Sequence, residues 1–124
     1  MKNRFVRYHL PVYIWAVIIF IGSSISLAAP DIAGKLSDKV CHIAEYMVFG
    51  FLLARSFGNL IRPSLKEKNL VWAVMAGSLY GISDEVHQIF VPTRSFEALD
   101  IISDVLGSLS GALLFLLLTR KWKR

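Results

Sequence analysis

Hydrophobic positions in this chain gather into four runs parted by short polar stretches. The first covers 8–29, "YHLPVYIWAVIIFIGSSISLAA", with only His9, at its edge, among acidic and basic residue types. The second, 39–54, is shorter and carries His42 and Glu45; the third covers 70–91 and the fourth 101–119. A helix crosses the hydrocarbon with roughly 17–25 residues. The pattern therefore predicts an all-α, polytopic membrane protein: four transmembrane helices in one compact bundle, a single domain over 1–124. Pro11, Pro30, Pro63 and Pro92 fall in a first turn or outside a run, where a missing N–H costs least.

The polar residues within the runs are placed by helical spacing. Asp38, His42 and Glu45 are spaced i, i+4, i+7 and share one face. Gly77, Tyr80, Asp84, His87 and Gln88 make a second stripe, and Asp100, Asp104, Gly107 and Gly111 a third. At a rise of 1.5 Å per residue, Glu45 and Asp84 lie roughly 9–10 Å inside the same ends of their runs. Asp104 lies a turn into its own. Glu85 follows Asp84 and points about 100° away from it, toward the first or second helix. An ionised side chain at the bilayer centre costs roughly 2.5–3.5 kcal/mol, so these groups are expected to face one another across a polar cavity. The small residues of the third stripe, with Ser103, Ser108 and Ser110 nearby, would let helices approach closely.

Charge gives the cavity a side. Apolar residues make up 55% of the chain and the formal charge is +5. The basic residues lie between the apolar runs, so they read as an orientation signal and not as a nucleic-acid surface. Lys2, Arg4, Arg7, Arg55, Arg62, Lys66, Lys68, Arg120, Lys121, Lys123 and Arg124 are eleven of the fourteen Lys and Arg, and four helices put them all on one side. Both termini are thus expected to be cytoplasmic, with Lys35, Lys39 and Arg94 outside. Trp15, Trp72 and Trp122 would form a cytoplasmic aromatic belt. The basic segments can also meet anionic inner-leaflet lipids. A competing reading takes the first 29 residues, ending in "SLAAP", as a cleaved signal peptide. Cys41 is the only cysteine, which rules out an internal disulfide, and it is expected to be a small buried residue.

Four motifs in order, Asp38-Lys39-x-x-His42-x-x-x-Tyr46, Asp84-Glu85-x-His87-Gln88, Pro92-x-Arg94-Ser95 and Asp100-x-x-x-Asp104-x-x-Gly107, resemble the VanZ-like family of small bacterial membrane proteins. The resemblance covers most of the chain, from about Lys35 onward. It implies a multi-pass plasma-membrane protein and, for the founding member, reduced susceptibility to teicoplanin; it supplies no reaction. Members often have Asn where Asp104 stands and Gly where Thr93 stands, so Asp104 adds negative charge to the cavity here.

Two classes of function follow. In the first, the cavity binds an anionic lipid headgroup or a lipid-linked cell-wall precursor, with Arg94 and Lys39 as anchors, because a guanidinium fork suits phosphate. In the second, His42, Asp84 and Glu85 perform acid–base or metal chemistry in a hydrolase or transferase acting on a lipid-linked phosphate or ester. A divalent cation, Mg²⁺ or Mn²⁺, held by His42, Asp84 and Asp104 would serve the second. Zinc motifs, G-x-S-x-G and phosphate loops are absent from the sequence. Each polar residue also has a plain packing role open to it: carboxylates paired with Arg94 or Lys39, Arg94 bridged to Glu97 or Asp100, and Tyr46 as a buried hydrogen-bond donor. The apolar inner halves of the runs argue against ion or proton translocation.

Overall fold

The computed structural model describes residues 3–25, 32–60 and 66–121. Five helices follow in order: α1 (Arg4–Tyr8), α2 (Leu10–Ser24), α3 (Ile32–Leu60), α4 (Lys66–Gln88) and α5 (Ala98–Lys121). No strand occurs among the described residues. Segment 26–30, on which the signal-peptide reading rests, lies outside them, as do Lys2, Arg62, Pro63, Trp122, Lys123 and Arg124. So do the side chains of Lys66 and Lys121.

The first apolar run is not one helix. It breaks at His9, which leaves α1 with five residues and α2 with fifteen. Pro11 is the cause: it has no N–H to offer Arg7, so the α1 ladder cannot continue. The second helix is longer than expected, reaching from 32 to 60 instead of 39 to 54. Lys39 and Arg55 do not end it, because both charges find partners inside the bundle. Lys39 pairs with Glu97 and Asp100, and the Arg55 guanidinium lies 5.1 Å over the Tyr8 ring. The α4 helix stops at Gln88, short of Val91, and α5 starts at Ala98, ahead of Ile101.

The α3 helix packs most extensively on α5, α4 leans on both, and α2 covers α3 and α4. The α3–α5 contact is close because glycine lines it. A Cβ on Gly107 would stand 2.6 Å from the carbonyl oxygen of Ile43, and one on Gly50 or Gly111 would strike the backbone of Ser108 or Met47. Early α5 residues thus meet early α3 residues, so the two helices run parallel while α4 runs against them. On the α2 side, Tyr80 donates to the Ala16 carbonyl at 2.6 Å and Trp15 to the Glu45 carbonyl at 2.9 Å. Trp15 is half-buried and Trp72 is 50% exposed.

Burial is inverted relative to a protein in water. Among the described residues, eleven polar or charged side chains are buried against seven hydrophobic ones, while Val17, Ile21, Met75, Leu79, Ile102 and Leu117 point outward. Two helices, Gly34–Leu60 and Ala98–Arg120, are long and apolar enough to cross a bilayer. The arrangement fits a membrane protein.

The connector from α4 to α5 turns at Val91–Arg94, where the Arg94 N–H donates to the Val91 carbonyl at 3.1 Å. Pro92 fills the second position and Thr93 the third, with φ of 68°. That is the type II pattern, whose third position favours glycine. A β-branched residue in the left-handed region is strained by roughly 1–2 kcal/mol. Thr93→Gly is thus expected to relieve the strain and stabilise the protein by less than about 1 kcal/mol, because the threonine's own interaction is lost, and Thr93→Val to give no gain. Thermal unfolding in detergent checks both; a lower midpoint for the glycine variant would place the strain elsewhere.

Candidate functional site

Seven of the eight acidic residues among the described ones lie at one end of the bundle: Asp38, Glu45, Asp84, Glu85, Glu97, Asp100 and Asp104. The inward faces of three helices bring them there. The α3 helix contributes Asp38, Lys39, His42, Glu45 and Tyr46, α4 contributes Asp84, Glu85 and Gln88, and α5 contributes Asp100 and Asp104. Gly81 lets α5 come near enough, since a Cβ there would lie 2.7 Å from Asp104 Oδ2.

The centre of the cluster is His42, 6% exposed. Its Nδ1 donates to Asp104 Oδ1 at 2.8 Å, and Asp104 is fully buried. Its Nε2 faces the other way and stands 4.0 Å from one oxygen each of Asp38 and Asp100. The Tyr46 ring lies nearly parallel to the imidazole, 9° apart at a centroid distance of 6.5 Å. A buried carboxylate thus orients the ring, with Nε2 turned toward Asp38 and Asp100.

The two cations are engaged with carboxylates. Lys39 Nζ is 2.6 Å from Glu97 Oε2 and also contacts Asp100 Oδ1. Arg94 Nη1 is 3.6 Å from Asp38 Oδ1, and its Nη2 donates to the Ile25 carbonyl at 3.3 Å. Arg94 thus bridges to Asp38, not to Glu97 or Asp100. The hydrogen bond from Lys39 holds the Glu97 carboxyl below its usual range. The ion pair is therefore fully formed above the ordinary carboxylate pKa and is lost only as pH falls below it.

A cleft of about 220 Å³ opens beside this cluster, lined by Gly22, Ser23, Ile25, Asp38, Cys41, His42, Glu45, Asp84, Gln88 and Arg94. Of the expected site residues, Asp38, His42, Glu45, Asp84, Gln88 and Arg94 line it directly, while Lys39, Asp100, Asp104 and Tyr46 support the wall behind. Two residues find partners that spacing did not reveal. Glu85, fully buried, accepts from the Glu97 N–H at 3.0 Å and ties α4 to the connector ahead of α5. His87 leaves the stripe for α2, where Nε2 meets Ser24 Oγ at 3.0 Å and the ring packs on Phe20.

The donor set around His42 also differs from expectation. Nδ1 is taken by Asp104, and among the described residues the group whose donor atoms lie within 4.8 Å of one another is Asp38, His42 and Asp100. Asp84 instead accepts from Gln88 Nε2 at 3.3 Å through Oδ2. Its Oδ1, like Glu85 Oε1, Asp104 Oδ2 and the Tyr46 hydroxyl, is buried without a hydrogen-bond partner among the described residues. An unpaired buried carboxylate oxygen is costly.

Cys41 is exposed and lines the cleft, contrary to the expectation of a buried residue. It follows Val40 on the outer side of α3, a position that periodicity could have marked. Ser23, Gly22 and Ile25 were not singled out by the sequence because nothing in an apolar run tells which end of α2 closes a cleft. Glu97 sits before α5, and only the fold shows that Lys39 reaches it.

The family model described as VanZ/LLP1 matches residues 4–119. The chain is also similar to an uncharacterized protein of Schizosaccharomyces pombe, with 30% identity over 104 residues. That alignment covers 84% of this chain and 61% of the relative, so the chain spans less than two thirds of the relative's length. No solved structure matches it significantly.

Proposed function

The chain belongs to the VanZ/LLP1 family, and from that premise we propose that it is a four-span membrane protein whose cleft holds the phosphate-bearing headgroup of an anionic or lipid-linked envelope lipid. In this reading α1–α2, α3, α4 and α5 cross the membrane, both termini are cytoplasmic, and the cleft faces outward. The observation behind it is the cleft itself: Arg94 and His42 sit in its wall, among helices whose outer faces are apolar. A lipid can enter such a cleft headgroup first and keep its chains on the apolar surface. The fission-yeast relative favours a headgroup common to many membranes over one confined to bacterial cell walls. An effect on teicoplanin susceptibility would be secondary to the lipid held.

The native thiol of Cys41 tests the reading without mutation. A membrane-impermeant maleimide should label it in intact cells, and phosphatidylglycerol nanodiscs should slow the labelling relative to phosphatidylcholine ones. Native mass spectrometry of the purified protein should retain one anionic lipid per chain. Arg94→Ala should weaken retention about 10–100-fold, the worth of one charge-assisted hydrogen bond. Labelling only after lysis would refute the orientation; equal labelling in both lipids with nothing retained would refute the headgroup.

The Asp104–His42 pair favours a second reading, a hydrolase or transferase with His42 Nε2 as general base. It predicts turnover of a labelled lipid phosphate or ester that His42→Gln abolishes.

A further inference from the structure

An anion entering this cleft meets a difficulty. Near His42 the carboxyl groups outnumber the two fixed cations: Lys39 is held by Glu97 and Asp100, and Arg94 faces Asp38 while its Nε has no hydrogen-bond partner among the described residues. A phosphate held by Arg94 alone would also face Asp38, Glu45 and Asp84. Something positive must stand between them.

We propose that Asp38, His42 and Asp100 bind a divalent cation of the Mg²⁺ or Mn²⁺ class, which presents an open face to the cleft. An ion with bonds of about 2.1 Å spans donor pairs from roughly 3 Å in cis to 4.2 Å in trans. The 4.0 Å gaps from His42 Nε2 to Asp38 Oδ2 and to Asp100 Oδ2 exceed a cis pair, so the carboxylates close in by up to about 1 Å when the ion binds. The remaining oxygens are occupied in a complementary way. Asp100 Oδ1 contacts Lys39 and Asp38 Oδ1 faces Arg94, so the Oδ2 atoms are left toward the imidazole. Behind the ring stands Asp104, taking the proton of Nδ1 at 2.8 Å. A ligating histidine is commonly backed by a carboxylate in this way.

A second observation points independently to a cationic ligand. Asp84 is 4% exposed and lines the same cleft as Asp38 and His42, and its Oδ1 has no hydrogen-bond partner among the described residues. It can accept from water on the ion. Lys39 Nζ is 4.0 Å from Asp38 Oδ2 and competes with the ion there, which argues for a divalent over a monovalent cation. Two carboxylates with one imidazole suit Mn²⁺, and Mg²⁺ binds similar sites while keeping several waters. The bridge from ion to phosphate rests on the headgroup reading; the binding of the ion does not.

Electron paramagnetic resonance of Mn²⁺ with the full-length protein in detergent tests the site, with Mg²⁺ and Zn²⁺ as competitors. One Mn²⁺ per chain is expected, with affinity falling at least tenfold in Asp38→Asn and in Asp100→Asn. Asp38 is partly exposed, so its variant should fold even if Asp100→Asn does not; circular dichroism checks each. Absence of bound Mn²⁺ at millimolar concentration, or unchanged affinity in a folded Asp38→Asn, overturns the site. Retention of phosphatidylglycerol is then measured with Mn²⁺ and with EDTA. Loss of lipid in EDTA supports the bridge. Equal retention without metal refutes the bridge and spares the headgroup reading; Mn²⁺ binding without lipid spares the site and refutes that reading.

Discussion

Asp104→Ala is expected to destabilise the protein by about 2–4 kcal/mol, the cost of a buried N–H left without an acceptor together with the space opened. Asp104 is fully buried and accepts from His42 at 2.8 Å. The alanine leaves Nδ1 of a 6%-exposed imidazole with no acceptor and opens space against Gly81. Asp104→Asn separates shape from charge. It keeps an oxygen where Oδ1 stands and removes the negative charge, so it should fold with stability near that of the parent chain. Tryptophan fluorescence during thermal unfolding in detergent distinguishes the two. If the alanine variant unfolds with the parent, the pair does not hold α3 to α5.

Gly111→Leu should have an effect of comparable size through packing alone. A Cβ at Gly111 collides with the carbonyl oxygen of Met47. A backbone atom cannot rotate away, so the helices must part, and the His42–Asp104 bond parts with them. Overpacking of this kind costs about 1–3 kcal/mol and sometimes prevents folding. Gly58→Ala is the control. A Cβ there meets the Phe115 ring at 3.6 Å and Asn69 Nδ2 at 3.8 Å, both ordinary contacts, and removing glycine from a helix interior gains about 0.5–1 kcal/mol. The expected result is a large fall in unfolding midpoint for the first and none for the second. Equal behaviour would mean that the α3–α5 contact is looser than its geometry.

Both predictions concern features that the sequence marked without saying how they meet. The stripe Asp100, Asp104, Gly107, Gly111 was legible from spacing, and every member is buried. Its glycines announced a close approach, but Met47 and Ile43 as the atoms approached could not be read. Glu85 shows the same limit. Its angle on α4 was right by periodicity, yet the neighbour at that angle was the connector N–H of Glu97. Lys39 marked the edge of an apolar run in the sequence, whereas in the fold its charge is held by Glu97 and Asp100, and α3 continues past it.

Sequence by itself determined the helical class, the apolar outer faces and the polar inner ones, since periodicity and desolvation cost are properties of each segment alone. Only the tertiary structure decided which polar groups are partners. That depends on α3 and α5 lying parallel at glycine distance, which puts Asp104 against one nitrogen of His42 and leaves Asp38 and Asp100 beside the other.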